Sequence, residues 1–222
     1  MSVAVLPRRV AQDARTPVMD AAGFAAATSA TPDELAALTR FQAMLAEGNQ
    51  RMSLVSAASL EGFWDRHAFD CAQLVALAPA ARTWVDIGSG AGLPGLVIAM
   101  LIKRRPGAGV HLVESQTKKC RFLETVAAEL SLPAEVHNAR AEDLAIAADV
   151  VTARAVARLG RLLEFAQPYL VRGATGLFLK GQNAEAEIAE ARRRWRFHVE
   201  QIPSRSDPAA RILKVERVSR VR

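Results

Sequence analysis

The stretch DIGSGAGLPG at residues 86–95 directly follows the apolar run TWV. A hydrophobic strand that ends in a glycine-rich turn can bring backbone close to a ligand, because glycine lacks a Cβ and adopts left-handed conformations. Gly90, Gly92 and Gly95 satisfy the dinucleotide pattern G-x-G-x-x-G, and Glu114 follows at about the distance of a ribose-binding acid. The stretch therefore predicts a ligand at a strand end and leaves open which ligand it is.

Around this turn, apolar strands alternate with amphipathic helices. Such alternation predicts an α/β fold with a mostly parallel sheet covered on both faces. The last two strands have no helix between them, which predicts an antiparallel C-terminal pair. The patterns place strands at 83–87, 110–114, 134–138, 149–154, 176–180, 197–202 and 211–218, and helices at 93–105, 117–131, 161–171 and 183–195.

The N-terminal part has a different pattern. Residues 1–30 are alanine-rich without a regular period, and we expect a flexible extension there. Thr31, Pro32 and Glu34 form a capping-box pattern for a helix that Gly48 would end. A second helix at 59–78 completes a small helical cap over 31–80, packed on a domain that spans 81–222. Its apolar face carries Phe63, Trp64, His67, Cys71, Leu74 and Val75.

The composition is that of an ordinary globular protein of 222 residues. Its longest apolar run, 96–102, is too short to span a bilayer, and the N-terminus lacks a signal-peptide pattern. The two cysteines form no close pair, and the four histidines show no metal-ligand spacing along the chain. We therefore expect a reduced, cytoplasmic protein with no membrane partner and no metal site.

The net charge of +6 is confined to one end of the chain. Residues 1–189 contain 19 basic and 19 acidic side chains, whereas residues 190–222 contain ten basic and four acidic ones. A concentration of positive charge favours a polyanionic partner such as nucleic acid, although a solvated basic tail has the same composition.

Three features favour S-adenosylmethionine over a dinucleotide. Asp86 precedes the first glycine, where it would repel a pyrophosphate and attract the ammonium group of a methionine moiety. Gly88 adds a third alternating glycine, and Tyr169 lacks the lysine four residues on that a short-chain dehydrogenase needs. The pattern resembles the class I, Rossmann-like S-adenosylmethionine-dependent methyltransferases. This resemblance implies that Glu114 binds the ribose hydroxyls and that the loop at 141–142 flanks the adenine.

The residues after the fourth strand, TARAV at 152–156, bear on the methyl acceptor. They contain no N-P-P-Y or D-P-P-Y element for an exocyclic amine, and neither cysteine lies at a strand end for attack on a pyrimidine carbon. The remaining kind of methyl acceptor is an atom with a free lone pair, such as guanine N7. Such an atom has to be oriented towards the methyl group but does not have to lose a proton.

Six blocks of the chain together resemble one family, the bacterial small-subunit rRNA guanine-N7 methyltransferases, also called glucose-inhibited division protein B. The similarity covers about residues 33–218. It implies methyl transfer to N7 of the guanine at position 527, in the 530 loop of 16S rRNA or the 30S subunit. The blocks are Arg66-His67-x-x-Asp70, DIGSGAGLPG, LVESQTKKCRFL, Ala139-Arg140-Ala141-Glu142, Ala153-Arg154-Ala155 and Leu179-Lys180-Gly181-Gln182.

The resemblance also implies site residues. The cofactor-binding candidates are Gly88, Leu93, Ala141, Glu142 and Arg154, together with Asp86, Gly90, Gly92 and Glu114. The candidates around the target guanine and its RNA are Arg66, His67, Asp70, Arg140, Lys180 and Arg211. No residue is assigned as a catalytic acid or base; Arg154 and Lys180 are positioning candidates.

Other interpretations of these residues remain open. His67 is equally compatible with a core histidine, Arg66 and Asp70 with a surface pair, and Arg192–Arg194 with a solvated helix end. Arg154 would position Glu142 or Asp86 if it does not touch substrate. The segment at 48–55 departs from the family's W-N-x-x-x-N-L-T pattern, which puts substrate contacts there in doubt.

The alternatives for function are a methyltransferase of another RNA or a small molecule and, more distantly, a non-catalytic RNA-binding protein. We expect a monomer.

Overall fold

The computed structural model describes residues 19–221. Within them, seven strands form one sheet in the order β3-β2-β1-β4-β5-β7-β6. β1 to β5 run parallel, and β7 pairs antiparallel with both β5 and β6. The strands are β1 Thr83–Ile87, β2 Gly109–Glu114, β3 Ala134–Asn138, β4 Val150–Arg154, β5 Thr175–Lys180, β6 Trp195–Pro203 and β7 Arg211–Arg220. The predicted α/β sheet with an antiparallel C-terminal pair is confirmed.

Helices cover both faces of this sheet. They are α1 Ala21–Thr28, α2 Pro32–Asn49, α3 Ala57–Glu61, α4 Asp70–Leu77, α5 Gly95–Ile102, α6 Thr117–Glu129, α7 Leu159–Leu170 and α8 Ala184–Ala191. A π-helical turn, Phe63–Phe69, joins α3 to α4, and a 3₁₀ turn, Ala141–Asp143, follows β3. Among residues 19–221, no helix combines the length and apolar character needed to cross a bilayer.

The sheet has a topological switch point between β1 and β4. From β1 the chain adds β2 and β3 on one side, then returns to place β4 and β5 on the other. Ligands of such sheets bind beyond the carboxyl ends of the strands at this point, because the connecting loops diverge there. The loops after β1 and β4 therefore border the expected binding region.

Helix α1 corrects part of the predicted N-terminal extension. Asp20 caps the helix by accepting a 2.8 Å hydrogen bond from the Gly23 amide, and the alanines that follow favour a helix. Phe24 is fully buried, and its ring centroid lies 5.5 Å from that of Trp64. A flexible extension is therefore wrong for residues 21–28, while the part of that prediction on residues 1–18 lies outside the described residues.

Helix α2 confirms the predicted start but not the predicted stop. Glu34 donates its amide to the Thr31 hydroxyl at 3.3 Å, and its carboxylate accepts from the Thr31 amide at 2.7 Å. Gly48 lies inside the helix and does not end it. A Cβ at Gly48 would lie 2.6 Å from Cδ1 of Leu54, so the glycine permits close packing of that leucine.

The helix predicted at 59–78 is interrupted by the π-helical turn. The apolar face still points inward: Phe63, Cys71 and Leu74 are fully buried. One hydrophobic core includes these residues, α2 and the α5 face of the sheet, while a second core lies under α7 and α8. The helical cap and the sheet thus share one core.

Candidate functional site

The loop between β1 and α5 is held in left-handed backbone by its glycines. Gly88, Gly90 and Gly92 have φ angles of +65°, +53° and +86°. The amides of Gly88 and Ser89 both donate to the carbonyl of Val113, at 2.8 and 3.0 Å, which fixes the loop on β2. The glycine turn predicted from the sequence is thus present and is anchored to β2 by two hydrogen bonds.

Asp86 is enclosed beneath this loop. Its Oδ2 accepts a 3.0 Å hydrogen bond from the Gly95 amide, which ties the end of β1 to the first turn of α5. Its Oδ1 is buried and has no partner among the described residues. Burial raises the pKa of this carboxyl to about 7. Asp86 therefore shapes the loop and retains one free acceptor oxygen.

Glu114, at the end of β2, also holds the loop. Its Oε2 accepts from the Gly90 amide at 3.0 Å, and its Oε1 accepts from the Gln116 amide at 2.8 Å. Each carboxylate oxygen has a second lone pair, so both can still accept from the hydroxyls of a ribose.

A depression that we call the Glu114 pocket lies at the carboxyl ends of β1 and β2. Its volume is about 100 Å³. Five predicted site residues line it: Gly88, Glu114, Arg140, Ala141 and Glu142. Arg140, expected near RNA, thus lies among the cofactor candidates.

The back of the Glu114 pocket is fixed by a buried hydrogen bond. The hydroxyl of Tyr169 in α7 donates to the carbonyl of Ala141 at 2.8 Å. Sequence reasoning used Tyr169 only to argue against a dehydrogenase and missed this contact, because nothing in the local sequence of α7 indicates a bond to the turn after β3.

The other predicted cofactor residues do not line this pocket. Gly90 and Gly92 shape the loop; a Cβ at Gly92 would lie 2.2 Å from Cδ1 of Leu96. Leu93 is 5% exposed and packs in the core.

A second, larger cavity, which we call the Lys180 pocket, opens at the carboxyl ends of β4 and β5. It has a volume of about 430 Å³. Its charged lining residues are Asp70, Arg154, Arg158, Lys180 and Glu187.

Lys180 is not a free cation. Its Nζ lies 2.8 Å from Oε2 of Glu187 and donates to the carbonyl of Ala157, and its side chain is only 9% exposed. Glu187 also accepts from the Leu159 amide at 2.8 Å. Lys180, a candidate for contact with the target guanine and its RNA, is therefore part of a lysine–glutamate pair in the pocket wall. Sequence reasoning missed Glu187, which lies in α8.

Arg154 connects β4 to the helical cap. Its guanidinium donates to the carbonyl of Arg66 and to Nδ1 of His67, both at 2.9 Å, and lies 3.6 Å from Oδ2 of Asp70. In the part of the chain that the structure describes, Arg154 forms no hydrogen bond or ion pair with Glu142 or Asp86, the two residues it would position if it does not touch substrate. Arg154 thus joins two blocks that the sequence separates by more than eighty residues.

The cap residues that Arg154 contacts are in different environments. His67 is 5% exposed, and burial together with the neighbouring Arg154 lowers its pKa to about 4, so its ring is neutral near pH 7. Burial raises the pKa of Asp70, whose Oδ1 accepts from the Ser206 hydroxyl at 2.9 Å. The side chain of Arg66 is exposed, and only its carbonyl takes part.

Ala155 and Val156 follow Arg154 and separate the two pockets. Ala155 has φ +55°, a conformation that costs a non-glycine residue about 1 kcal/mol or more. Val156 lines both pockets, and a Cβ at Gly88 would lie 2.8 Å from its Cγ2. One valine side chain is therefore the shared wall.

The remaining RNA candidate, Arg211, donates hydrogen bonds to the loop that precedes it. Its guanidinium donates to the carbonyls of Pro208 and Ala210 at 2.7 Å each, and Ala210 lines the Lys180 pocket. Arg211 supports the rim of that pocket.

The C-terminal basic surface is partly neutralised. Glu164 in α7 lies within 4.0 Å of three guanidinium groups, those of Arg161, Arg194 and Arg220. Within residues 19–221, Arg193, Arg196 and Arg217 are exposed and form no ion pair.

The structure also brings together side chains that the histidine spacing did not connect. His111, Glu135 and His137 have ligand atoms within 4.8 Å of one another. The prediction of no metal site assumed ligands close in sequence, whereas these come from two neighbouring strands.

The chain is similar in sequence to one family of known proteins. Residues 34–212 match the family described as rRNA small subunit methyltransferase G (GidB). The Ribosomal RNA small subunit methyltransferase G of Caulobacter vibrioides is 57% identical over 205 residues, which cover 92% of this chain and 95% of the relative. The protein of that name from Parvibaculum lavamentivorans is 46% identical over 202 residues, 89% of each chain.

Solved structures support the fold. The mitomycin 7-O-methyltransferase MmcR has a TM-score of 0.56 at 16% identity, covering 89% of this chain and 72% of that one. The magnesium protoporphyrin IX methyltransferase ChlM from Synechocystis PCC 6803, with bound SAM, has a TM-score of 0.56 at 15% identity, covering 85% and 99%. The fold is thus the Rossmann-like fold of class I methyltransferases.

Proposed function

We infer that this chain, which belongs to the rRNA small subunit methyltransferase G family, transfers a methyl group from S-adenosylmethionine to N7 of a guanine in 16S rRNA. Within 16S rRNA we propose the guanine at position 527 of the 530 loop. The observation that carries this proposal is the pair of pockets at the switch point of the sheet, which share Val156 as a wall.

The residues of the Glu114 pocket fit the adenosine part of S-adenosylmethionine. Glu114 offers carboxylate oxygens to the ribose, and the 141–142 turn offers backbone beside a planar base. Gly88 leaves open the space that a Cβ would fill against Val156. The orphaned Oδ1 of Asp86 is a buried acceptor that an ammonium group nearby can satisfy, directly or through water. S-adenosylmethionine supplies an electrophilic methyl group on a positively charged sulfur.

We propose that the Lys180 pocket receives the guanine. N7 carries a bare lone pair, so the pocket has to orient the base and need not remove a proton. The Watson–Crick edge of guanine presents N–H donors, and the carboxylates of Asp70 and Glu187 can accept hydrogen bonds from them. Methylation at N7 leaves a positive charge on the base, and the same carboxylates stabilise that charge.

The target base has to come from single-stranded or opened RNA. In an A-form duplex, N7 lies in a deep, narrow groove that side chains cannot enter, so a loop such as the 530 loop is a suitable source. We propose that the exposed arginines Arg193, Arg196 and Arg217 of the C-terminal hairpin region bind flanking phosphates. Their contribution should weaken steeply with salt. We further propose that the enzyme acts as a monomer.

The test is methyl transfer from labelled S-adenosylmethionine to 30S subunits from cells that lack the enzyme, followed by cleavage at 7-methylguanine. We expect one new cleavage in the 530 loop, abolished by Glu114→Ala and only weakened, with a lower salt dependence, by Arg193→Gln. Cofactor binding without incorporation into 30S subunits or naked 16S rRNA would refute the rRNA assignment and favour another substrate.

A further inference from the structure

We propose that His111, Glu135 and His137 bind a divalent transition metal of the Zn²⁺ type at the β3 edge of the sheet. The site is separate from the two pockets of the proposed function, because none of its three side chains lines either one. Two imidazoles and one carboxylate are the ligand set that Zn²⁺ accepts when a water completes its coordination.

Strand register places the three side chains on one face. His111 in β2 is directly opposite Glu135 in β3, and His137 lies two residues further along β3. Side chains directly opposite on parallel strands share a face, as do residues i and i+2 of one strand. The three ligands therefore converge because of the backbone geometry of the sheet, and strands hold a site more precisely than loops do.

The distances match what a tetrahedral ion requires. Nδ1 of His111 lies 3.0 Å from Nε2 of His137, and these nitrogens lie 3.5 and 3.7 Å from the Glu135 carboxylate oxygens. With metal–ligand bonds of about 2.0–2.1 Å, two donor atoms of a tetrahedral Zn²⁺ stand about 3.3–3.4 Å apart. The two carboxylate distances involve different oxygens, Oε2 and Oε1. A rotation of the exposed Glu135 carboxylate, with shifts of a few tenths of an ångström at the imidazoles, would place all three side chains on one ion.

Burial favours an ion over a simple surface cluster. The two ring side chains are 24% and 19% exposed, whereas Glu135 is 67% exposed. The imidazoles are thus held in place while one side stays open for the ion to enter and for water to bind. Without an ion, one ring nitrogen donates a hydrogen bond to the other.

The ion would tie the edge strand β3 to β2. β3 leads directly into the 139–142 segment, which lines the Glu114 pocket. We therefore assign the ion a structural part: it stabilises the outer wall of that pocket and takes no part in methyl transfer.

The experiment uses the untagged full chain after treatment with a chelator. Zn²⁺ is titrated in competition with a chromogenic chelator, and the Cu²⁺-loaded protein is examined by electron paramagnetic resonance. We expect one Zn²⁺ per chain and Cu²⁺ hyperfine structure from two nitrogens. His137→Gln should weaken Zn²⁺ by tenfold or more and leave one nitrogen, and Glu135→Gln should weaken Zn²⁺ with both nitrogens retained.

His198→Gln is the matched control, because His198 is an exposed histidine in β6 outside the cluster. Unfolding of the metal-free variants, compared with the metal-free parent, shows that each one is folded. Absence of stoichiometric binding by the parent would overturn the proposal. So would binding that His137→Gln and Glu135→Gln leave unchanged, or that His198→Gln removes.

Discussion

The guanidinium of Arg154 donates a 2.9 Å hydrogen bond to Nδ1 of His67, which lies 87 residues earlier in the chain. Arginine has no acceptor, so His67 must carry its proton on Nε2. Nε2 is buried without a partner in the part of the chain that the structure describes. The end of β4 is therefore coupled to the helical cap through a neutral histidine.

Arg154→Lys should impair methyl transfer more than stability. A lysine has one nitrogen and cannot hold the Arg66 carbonyl and His67 at the fixed spacing of a guanidinium. Misplacement of the pocket wall by about 1 Å can cost about 100-fold in rate. Single-turnover methylation of 30S subunits measures this rate. Arg104→Lys is the control, because Arg104 is an exposed arginine that pairs with Asp33 and lines neither pocket. An unchanged rate in Arg154→Lys would contradict the coupling.

His67→Asn should reduce the loss of stability in acid. The pKa of folded His67 is about 4, below its usual value of 6.5, so the unfolded chain binds more protons between those values. Stability from this group is therefore complete above pH 6.5 and declines as pH falls towards 4, by ~2–3 kcal/mol in total. Urea unfolding from pH 4.5 to 7.5 measures the slope of the free energy of unfolding against pH. His198→Asn should leave it unchanged, and an equal slope in His67→Asn would refute the assignment.

The contribution of Asp86 to stability should depend on pH in the opposite direction. Burial raises its pKa to about 7 in the folded protein, so the folded state holds the proton from about pH 4 to 7. Its contribution to stability is greatest below pH 4 and is lost as pH rises through 7. Asp86→Asn should remove this decline in urea unfolding.

The affinity for S-adenosylmethionine should instead rise through pH 7, because only the ionised carboxyl attracts an ammonium group. Calorimetry between pH 6 and 8 should show this rise in the parent and a flat profile in Asp86→Asn. Asp33→Asn, at an exposed position of α2, should behave as the parent does. A pH-independent affinity in the parent would exclude an electrostatic part for Asp86.

Gly88→Ala should weaken S-adenosylmethionine binding by more than tenfold. The new Cβ would be forced against Val156 at 2.8 Å in a left-handed backbone, so the loop or the shared wall must shift. Gly173→Ala is the matched control, since Gly173 has φ +100° and open space around its Cβ position. Both variants should lose stability by about 1 kcal/mol from backbone strain. Equal cofactor affinity in the two would argue against Gly88 as part of the pocket.

Tyr169→Phe should release the turn at the back of the Glu114 pocket. Loss of the hydroxyl leaves the buried Ala141 carbonyl without this donor, at a cost of about 1–3 kcal/mol. We expect a lower melting temperature and a several-fold weaker affinity for S-adenosylmethionine. Thr125→Ala removes an exposed hydroxyl from α6 and should change neither. An unchanged affinity would mean that the turn is held by other contacts.

The sequence predicts the sheet well because its signals are local. The strand before Gly88, the glycine turn and Glu114 lie within one stretch, and their geometry follows from strand, turn and helix preferences. Helix α1 escapes prediction because its stability depends on Phe24 docking on Trp64, which no local period encodes. The prediction that Gly48 ends α2 is wrong for a related reason. In the sequence, a glycine required for close packing cannot be distinguished from one that ends a helix in a left-handed conformation.

The site is less predictable because its partners are distant in sequence. Glu187 pairs with Lys180 from another element. Arg154 forms its side-chain hydrogen bond with His67, and among the described residues none with Glu142 or Asp86. The cluster of His111, Glu135 and His137 matches no motif that is defined along a single segment of sequence, because its members come from two strands. Side-chain pairing across strands depends on register, which becomes known only with the fold.

The position of β7 inside the sheet has a consequence for biosynthesis. β7 inserts between β5 and β6, so a nascent chain in which β7 has not yet been synthesised exposes two unpaired strand edges. Ala210, which lines the Lys180 pocket, is synthesised directly before β7 and after the other six strands. The Lys180 pocket is therefore complete only after β7 has been synthesised and has paired with β5. Copies that are truncated before β7 should be degraded by proteases and should have no methyltransferase activity.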